Sequence, residues 1–161
     1  MTDHVDQVLA QWAAQRPDLD VSPMAVIGRL KQLTARVEAE LKRTFALHGL
    51  DTPSFDVLAT LRRNGPERPL TPAELMRSMM VTSGAVTQRL DRLQERGLIR
   101  RTPSPTDGRV VLVALTEAGL ALVDETLPDH LATEQRLLAP LAAADREQLA
   151  TLLRTLLEGL D

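Results

Sequence analysis

The side chains best suited to proton transfer or metal binding near neutral pH are three histidines, His4, His48 and His130. They lie far apart in the sequence and share no ligand spacing. Cysteine is absent, which removes disulfides, thiolate metal sites, thiol nucleophiles and thiol redox sensing. The carboxylate pairs Asp18/Asp20 and Glu38/Glu40 read as solvated or capping residues. Neither GxGxxG nor GxxxxGK[ST] occurs, so there is no phosphate-cradling loop. Ser83-Gly84 opens a helix, but no His or Asp constellation accompanies it. No catalytic residue, metal ligand or cofactor is therefore expected, and the chain does not read as an enzyme.

What remains is a set of side chains that suits base edges and phosphates. Ser83, Thr87 and Gln88 fall on the outer side of one short helix. Glutamine bonds adenine in bidentate fashion, and serine or threonine bonds bases or phosphates. Arg109 stands at the tip of a loop beside Asp107, where a long cation reaches phosphate or a narrow minor groove. Charge agrees with this. Residues 62–109 carry ten arginines against five carboxylates, net +5, whereas the rest of the chain is net −8. A basic middle between acidic ends suits contact with a polyanion, although a solvated arginine-rich face has the same composition. The rings are only Trp12, Phe45 and Phe55, too few for a platform that stacks single-stranded bases.

The elements that must position these residues are mostly helical. A helix over Val5–Gln15 stops at Pro17. Ser22-Pro23 opens a long helix with Val26, Leu30, Leu33, Val37, Leu41 and Phe45 at three- and four-residue spacing, ended by Gly49. Thr52-Pro53 starts the next helix. Thr71-Pro72-Ala73-Glu74 is a capping box for a short one, and the turn Val81–Gly84 leads into a helix with Val86, Leu90 and Leu93 inward. The period then changes. Ile99–Thr102 and Val110–Leu115 flank a Pro/Asp-Gly loop and read as a β-hairpin. Thr116-Glu117 caps a further helix, which Pro128 is expected to interrupt. The last helix carries Leu149, Leu152, Leu153, Leu156, Leu157 and Leu160.

The order helix, short helix, helix, hairpin is that of a winged helix-turn-helix, whose second helix of the pair lies in the major groove. Residues 52–119 resemble the MarR family of bacterial transcription regulators. The resemblance is carried by Phe55-Asp56-Val57-Leu58, Leu70–Leu75, Val86–Leu93, Gly97–Arg101 and Asp107-Gly108-Arg109 followed by Leu115-Thr116. It implies that Asp107 helps to shape the wing and that Arg109 approaches the minor groove. Gly108 stands where a second arginine is common in the family. The outer helices match the family layout too, which implies a homodimer on a pseudo-palindromic operator in double-stranded DNA.

A narrower resemblance is to the urate-responsive (HucR-like and PecS-like) members. These carry an extra N-terminal helix with a tryptophan, an aspartate early in the second core helix, and arginines on the recognition helix and first wing strand. Trp12, Asp56, Arg89 and Arg101 fall at those positions. The resemblance implies a small anionic ligand such as urate, bonded by Arg89 and covered by Trp12, with Asp56 displaced by like charge and Arg101 in the same set. Trp12 as a dimer-core anchor and Asp56–Arg101 as a structural ion pair are the alternative.

The expectation is thus a mainly α protein with a small β-hairpin wing: N-terminal dimerisation helices over 1–51, a winged helix-turn-helix over 52–115, and C-terminal dimerisation helices over 116–161, in one intertwined domain. The competing reading is a helical dimer module whose winged helix binds protein. No stretch is apolar enough to span a membrane, and the acidic N-terminus lacks the features of a signal peptide, so a cytoplasmic location is expected.

Overall fold

The computed structural model of the chain describes residues 2–65, 67–79 and 86–160. Among these the elements run α1 (His4–Gln15), α2 (Pro23–Leu47), α3 (Thr52–Arg63), α4 (Pro72–Ser78), α5 (Val86–Glu95), β1 (Ile99–Pro103), β2 (Val111–Leu115), α6 (Glu117–Leu137) and α7 (Ala143–Glu158). The chain divides into two compact units, residues 1–41 and 42–161, with the boundary inside α2. The expected turn Val81–Gly84, and with it Ser83, lies outside the described residues.

In the first unit, α1 is pinned by its first turn. Asp3 accepts from the Asp6 backbone N–H and Asp6 accepts from that of Asp3, a capping box. Arg29 on α2 binds both carboxylates, at 2.8 Å to Asp3 and 2.6 Å to Asp6. Val5 is buried over Gly28, where an added Cβ would meet it at 3.3 Å. Val5 is also the one buried residue of α1. Trp12, two turns on, is 42% exposed, and Met24, Val26, Ile27 and Leu33 of α2 are exposed as well.

The second unit holds the main core. Asp51, one residue before the expected start, caps α3 by accepting from the Ser54 backbone N–H. Phe55, Val57, Leu58 and Leu61 then point inward. Phe45 and Phe55 stack with centroids 4.2 Å apart, and the His130 ring of α6 lies against both. Thr44 and Thr133 share a buried hydroxyl–hydroxyl hydrogen bond of 2.8 Å.

Pro128 does not interrupt α6, which runs unbroken for 21 residues. A proline removes one N–H and crowds one carbonyl. Buried residues on both sides of it, Val123 and Thr126 before and Thr133 after, hold the helix together across that defect. The expected hairpin is present and antiparallel, with Ile99 opposite Leu115, Arg101 opposite Val113 and Pro103 opposite Val111. Leu70 adds a bridge to Val113, its N–H and carbonyl both bonded, so the connector before α4 is fixed to the wing. Gly97, at φ +69°, supplies the left-handed turn from α5 into β1.

Candidate nucleic-acid interface

The helix-turn-helix pair begins with α4, seven residues long. Thr71 and Glu74 form the reciprocal capping box that the sequence indicates. The bonds to Thr71 hold the Glu74 carboxyl below its usual range. Arg63, at the end of α3, donates to the carbonyl of Ser78 and so ties the end of α4 to the core.

In α5 the buried stripe is Val86, Leu90 and Leu93. Each residue advances about 100° around a helix, so the remaining side chains sort by angle. Thr87, Asp91 and Gln94 flank the stripe on one side. Arg89 and Arg96 flank it on the other, and Gln88, Arg92 and Glu95 are outermost. Thr87 and Gln88 are exposed.

The two flanks meet different neighbours. On one, Arg101 of β1 donates from Nε to Gln94 and from Nη2 to Asp91, each at 2.5 Å. An open cleft between α5 and the wing is lined by these three residues and Glu95. On the other, Arg96 lies over Gly49 in the turn between α2 and α3. Asp51 in the same turn feels both Arg89 and Arg92. Partial burial pushes the Asp51 carboxyl up, but its bonds to the Ser54 hydroxyl and backbone N–H, aided by the two arginines, hold it below the ordinary range.

The wing tip is shaped by its own backbone. Ser104 N–H donates to Val110 at 2.8 Å, and Val110 N–H to Asp107 at 2.9 Å. The Asp107 carboxylate accepts from the Arg109 backbone N–H at 3.0 Å. Asp107 is thus engaged by its own loop, and the Arg109 side chain stands exposed at the tip.

The four candidate ligand residues are distributed as follows. Asp56 is buried on α3. Arg89 is half-buried on the α5 flank nearest Asp51. Arg101 is held on the opposite flank, and its ion pair is with Asp91 rather than the suggested Asp56. Trp12 belongs to the first unit, exposed on α1. Sequence reasoning had not singled out Gln94 or the clamp it forms with Asp91. The available signal was the i, i+3 spacing of the two on α5 together with Arg101 two residues beyond buried Ile99 on a strand. Among the described residues no group of His, Asp and Glu side chains is arranged to hold a metal ion.

A capped short helix, a second helix with a polar outer face and an arginine-tipped hairpin together define a winged-helix DNA-binding protein. The model of the MarR family matches residues 48–110. The chain is 36% identical over 149 residues to the HTH-type transcriptional regulator PecS of Dickeya dadantii, covering 92% of this chain and 90% of that one. Among solved structures it is similar to a mutant MarR from E. coli complexed with operator DNA, with a TM-score of 0.74, 30% identity and coverage of 86% and 99% of the two chains. It is also similar to Bordetella bronchiseptica BpsR, with a TM-score of 0.73, 29% identity and coverage of 81% and 91%, in a structure that concerns regulation of DNA binding by 6-hydroxynicotinic acid. The chain belongs to the MarR family. It is a DNA-binding transcription regulator and not an enzyme. No described helix is long and apolar enough to cross a membrane.

Proposed function

We propose that two copies of the chain form a homodimeric repressor that binds a pseudo-palindromic operator in the cytoplasm and is released by a small anionic aromatic ligand such as urate. The observation that carries the DNA contact is the joint exposure of Thr87 and Gln88 on α5 and of Arg109 at the wing tip. Thr87 and Gln88 would meet base edges in the major groove, and Arg109 would meet the adjacent backbone or minor groove. Ser83, just before α5, would bond base or phosphate there. Asp107 contributes by shaping the wing.

Release by an anion has a simple electrostatic basis. Arg89 and Arg101 stand on the two flanks of α5, the first near Asp51 and the second on Asp91. A ligand anion competes with such carboxylates for the guanidinium fork. Asp56, buried on α3, would be pushed away by that anion through like charge. Trp12 offers a flat apolar face for a planar ring. The 6-hydroxynicotinic acid of BpsR belongs to the same chemical class, a flat aromatic acid. The deciding experiment is a titration of duplex DNA from upstream of the chain's own gene, with and without urate and over a range of salt. Salt-sensitive binding that urate weakens supports the reading. Binding that ignores salt, or salt-sensitive binding that urate leaves unchanged, would overturn it.

A further inference from the structure

The wing is held to the rest of the molecule unevenly along its length. At its base Ile99 and its partner Leu115 are both buried. One step outward on the same face Arg101 lies opposite buried Val113. A further step outward, Pro103 and Val111 are exposed. The apolar anchorage has therefore run out by the third pair, and the Asp107–Arg109 tip lies further out still. On that face Arg101 grips α5 by hydrogen bonds to two side chains, Asp91 and Gln94, that occupy one flank of the recognition helix.

We propose that Asp91 and Gln94 are positioning residues. By holding the Arg101 guanidinium between them they set the angle of the wing relative to α5, and hence where Arg109 falls when Thr87 and Gln88 are seated in the major groove. The residue types suit the task. A planar guanidinium presents its N–H groups in a rigid fork, so bonds from Nε and Nη2 to two acceptors fix direction as well as distance. Lysine would supply the charge without the direction. The two acceptors lie on α5 itself, which makes the link one between the two DNA-reading elements and not between either and the core. The pair is partly exposed, so its worth to global stability is small, and its effect falls on geometry. Because Asp91 is an acid close to the DNA-facing side, simple electrostatics says its neutralisation should tighten DNA binding. The clamp says the opposite, which separates the two accounts.

The inference rests on the wing contact by Arg109, and the experiment separates failure of one from failure of the other. Operator affinity is measured by fluorescence anisotropy for the full-length wild type, Asp91→Asn, Arg101→Lys and Arg109→Ala, and for the two doubles that join each clamp variant to Arg109→Ala. Circular dichroism and thermal melts confirm folding, and Arg101→Lys keeps the net charge unchanged. Expected is about a tenfold loss for Asp91→Asn and for Arg101→Lys, with most of that loss vanishing in the Arg109→Ala background, since an already missing contact cannot be misplaced. Unchanged or tighter binding by Asp91→Asn and Arg101→Lys, alongside a weakened Arg109→Ala, overturns the clamp and leaves the wing contact standing. Losses that persist undiminished without Arg109 also overturn it, because the residues would then act elsewhere. No effect of Arg109→Ala alone removes the wing contact and the clamp together.

Discussion

Gly119, in the first turn of α6, faces the carbonyl oxygen of Leu98 so closely that a Cβ built on it would lie 1.9 Å from that oxygen. The contact seats α6 on the turn that joins α5 to β1, and Thr116, the α6 cap, reinforces it by donating from its hydroxyl to Gly97. Gly119→Ala forces two backbone segments apart and should cost about 1–3 kcal/mol, as overpacking of a core does. Urea unfolding with an unchanged m-value and a lower midpoint is the expected result. Full wild-type stability would show that the turn yields at no cost.

The DNA-reading residues should separate by the kind of loss they cause. If Thr87 and Gln88 meet base edges as proposed, Thr87→Ala and Gln88→Ala should each cost about 1–3 kcal/mol on the operator and relax preference at one position. Arg109→Ala should weaken binding to most sequences alike and lower the salt slope by about one. Footprints should show two half-sites with centres about 10–10.5 base pairs apart, or a multiple of that. An Arg109→Ala variant with unaltered affinity and salt slope would contradict the wing contact.

The leucines of the last helix test the proposed dimer. In the single chain α7 buries none of its residues, and Leu152, Leu156, Leu157 and Leu160 are all exposed, Leu160 to 83%. Leu149 and Leu153 are half-buried. Such a stripe is covered when two copies meet across a two-fold axis. Light scattering at micromolar concentration should give twice the chain mass, and Leu156→Glu should halve it. A wild-type monomer in that measurement would end the dimer reading.

Acid should loosen the start of α3. Asp51 has a carboxyl held below its ordinary range in the folded chain, so its ionised form is favoured by folding. The stability it contributes is present above the unfolded carboxylate value and is lost as pH falls through the lower folded value, that is, below about pH 4. Asparagine caps a helix nearly as well but does not titrate. Asp51→Asn should therefore unfold at nearly the wild-type urea midpoint at pH 3 and show a smaller midpoint gain on raising the pH to 6. A wild-type and variant pair with parallel pH profiles would mean that Asp51 titrates alike in both states.

The helices, the hairpin and the α4 cap were readable because each rests on local signals: three- and four-residue spacing, Thr71 with Glu74, and two β-branched runs around Asp107-Gly108. Pro128 misled because a single lost hydrogen bond is visible in sequence, whereas the buried contacts of Val123, Thr126 and Thr133 that outweigh it are not. The pairing of Arg101 had the same difficulty. Its partner depends on which flank of α5 the hairpin lies against, and that follows from the burial of Ile99 and Leu115 rather than from any motif. Gln94 carries no signal of its own until β1 is placed beside it.

The ligand response tests the distribution of Trp12, Asp56, Arg89 and Arg101. Urate is flat and largely a monoanion near neutral pH, so a guanidinium fork and an indole face are its natural partners. Arg89 sits on the α5 flank that faces Asp51, and any anion it captures weakens the attraction between that arginine and the turn before α3. That loosens one tie between the recognition helix and the turn, while Arg101 keeps its own hold on Asp91 and Gln94 at the opposite flank. A tenfold drop in operator affinity needs about 1.4 kcal/mol of differential binding between the two arrangements. Arg89→Ala and Trp12→Phe should blunt the response to urate, the former more because it removes the charge. Xanthine and citrate serve as comparisons, one flat with less charge and the other charged without a ring. If none of the three dissociates the operator complex, and calorimetry detects no binding to the free protein, the four residues are structural and the regulator answers to a different signal.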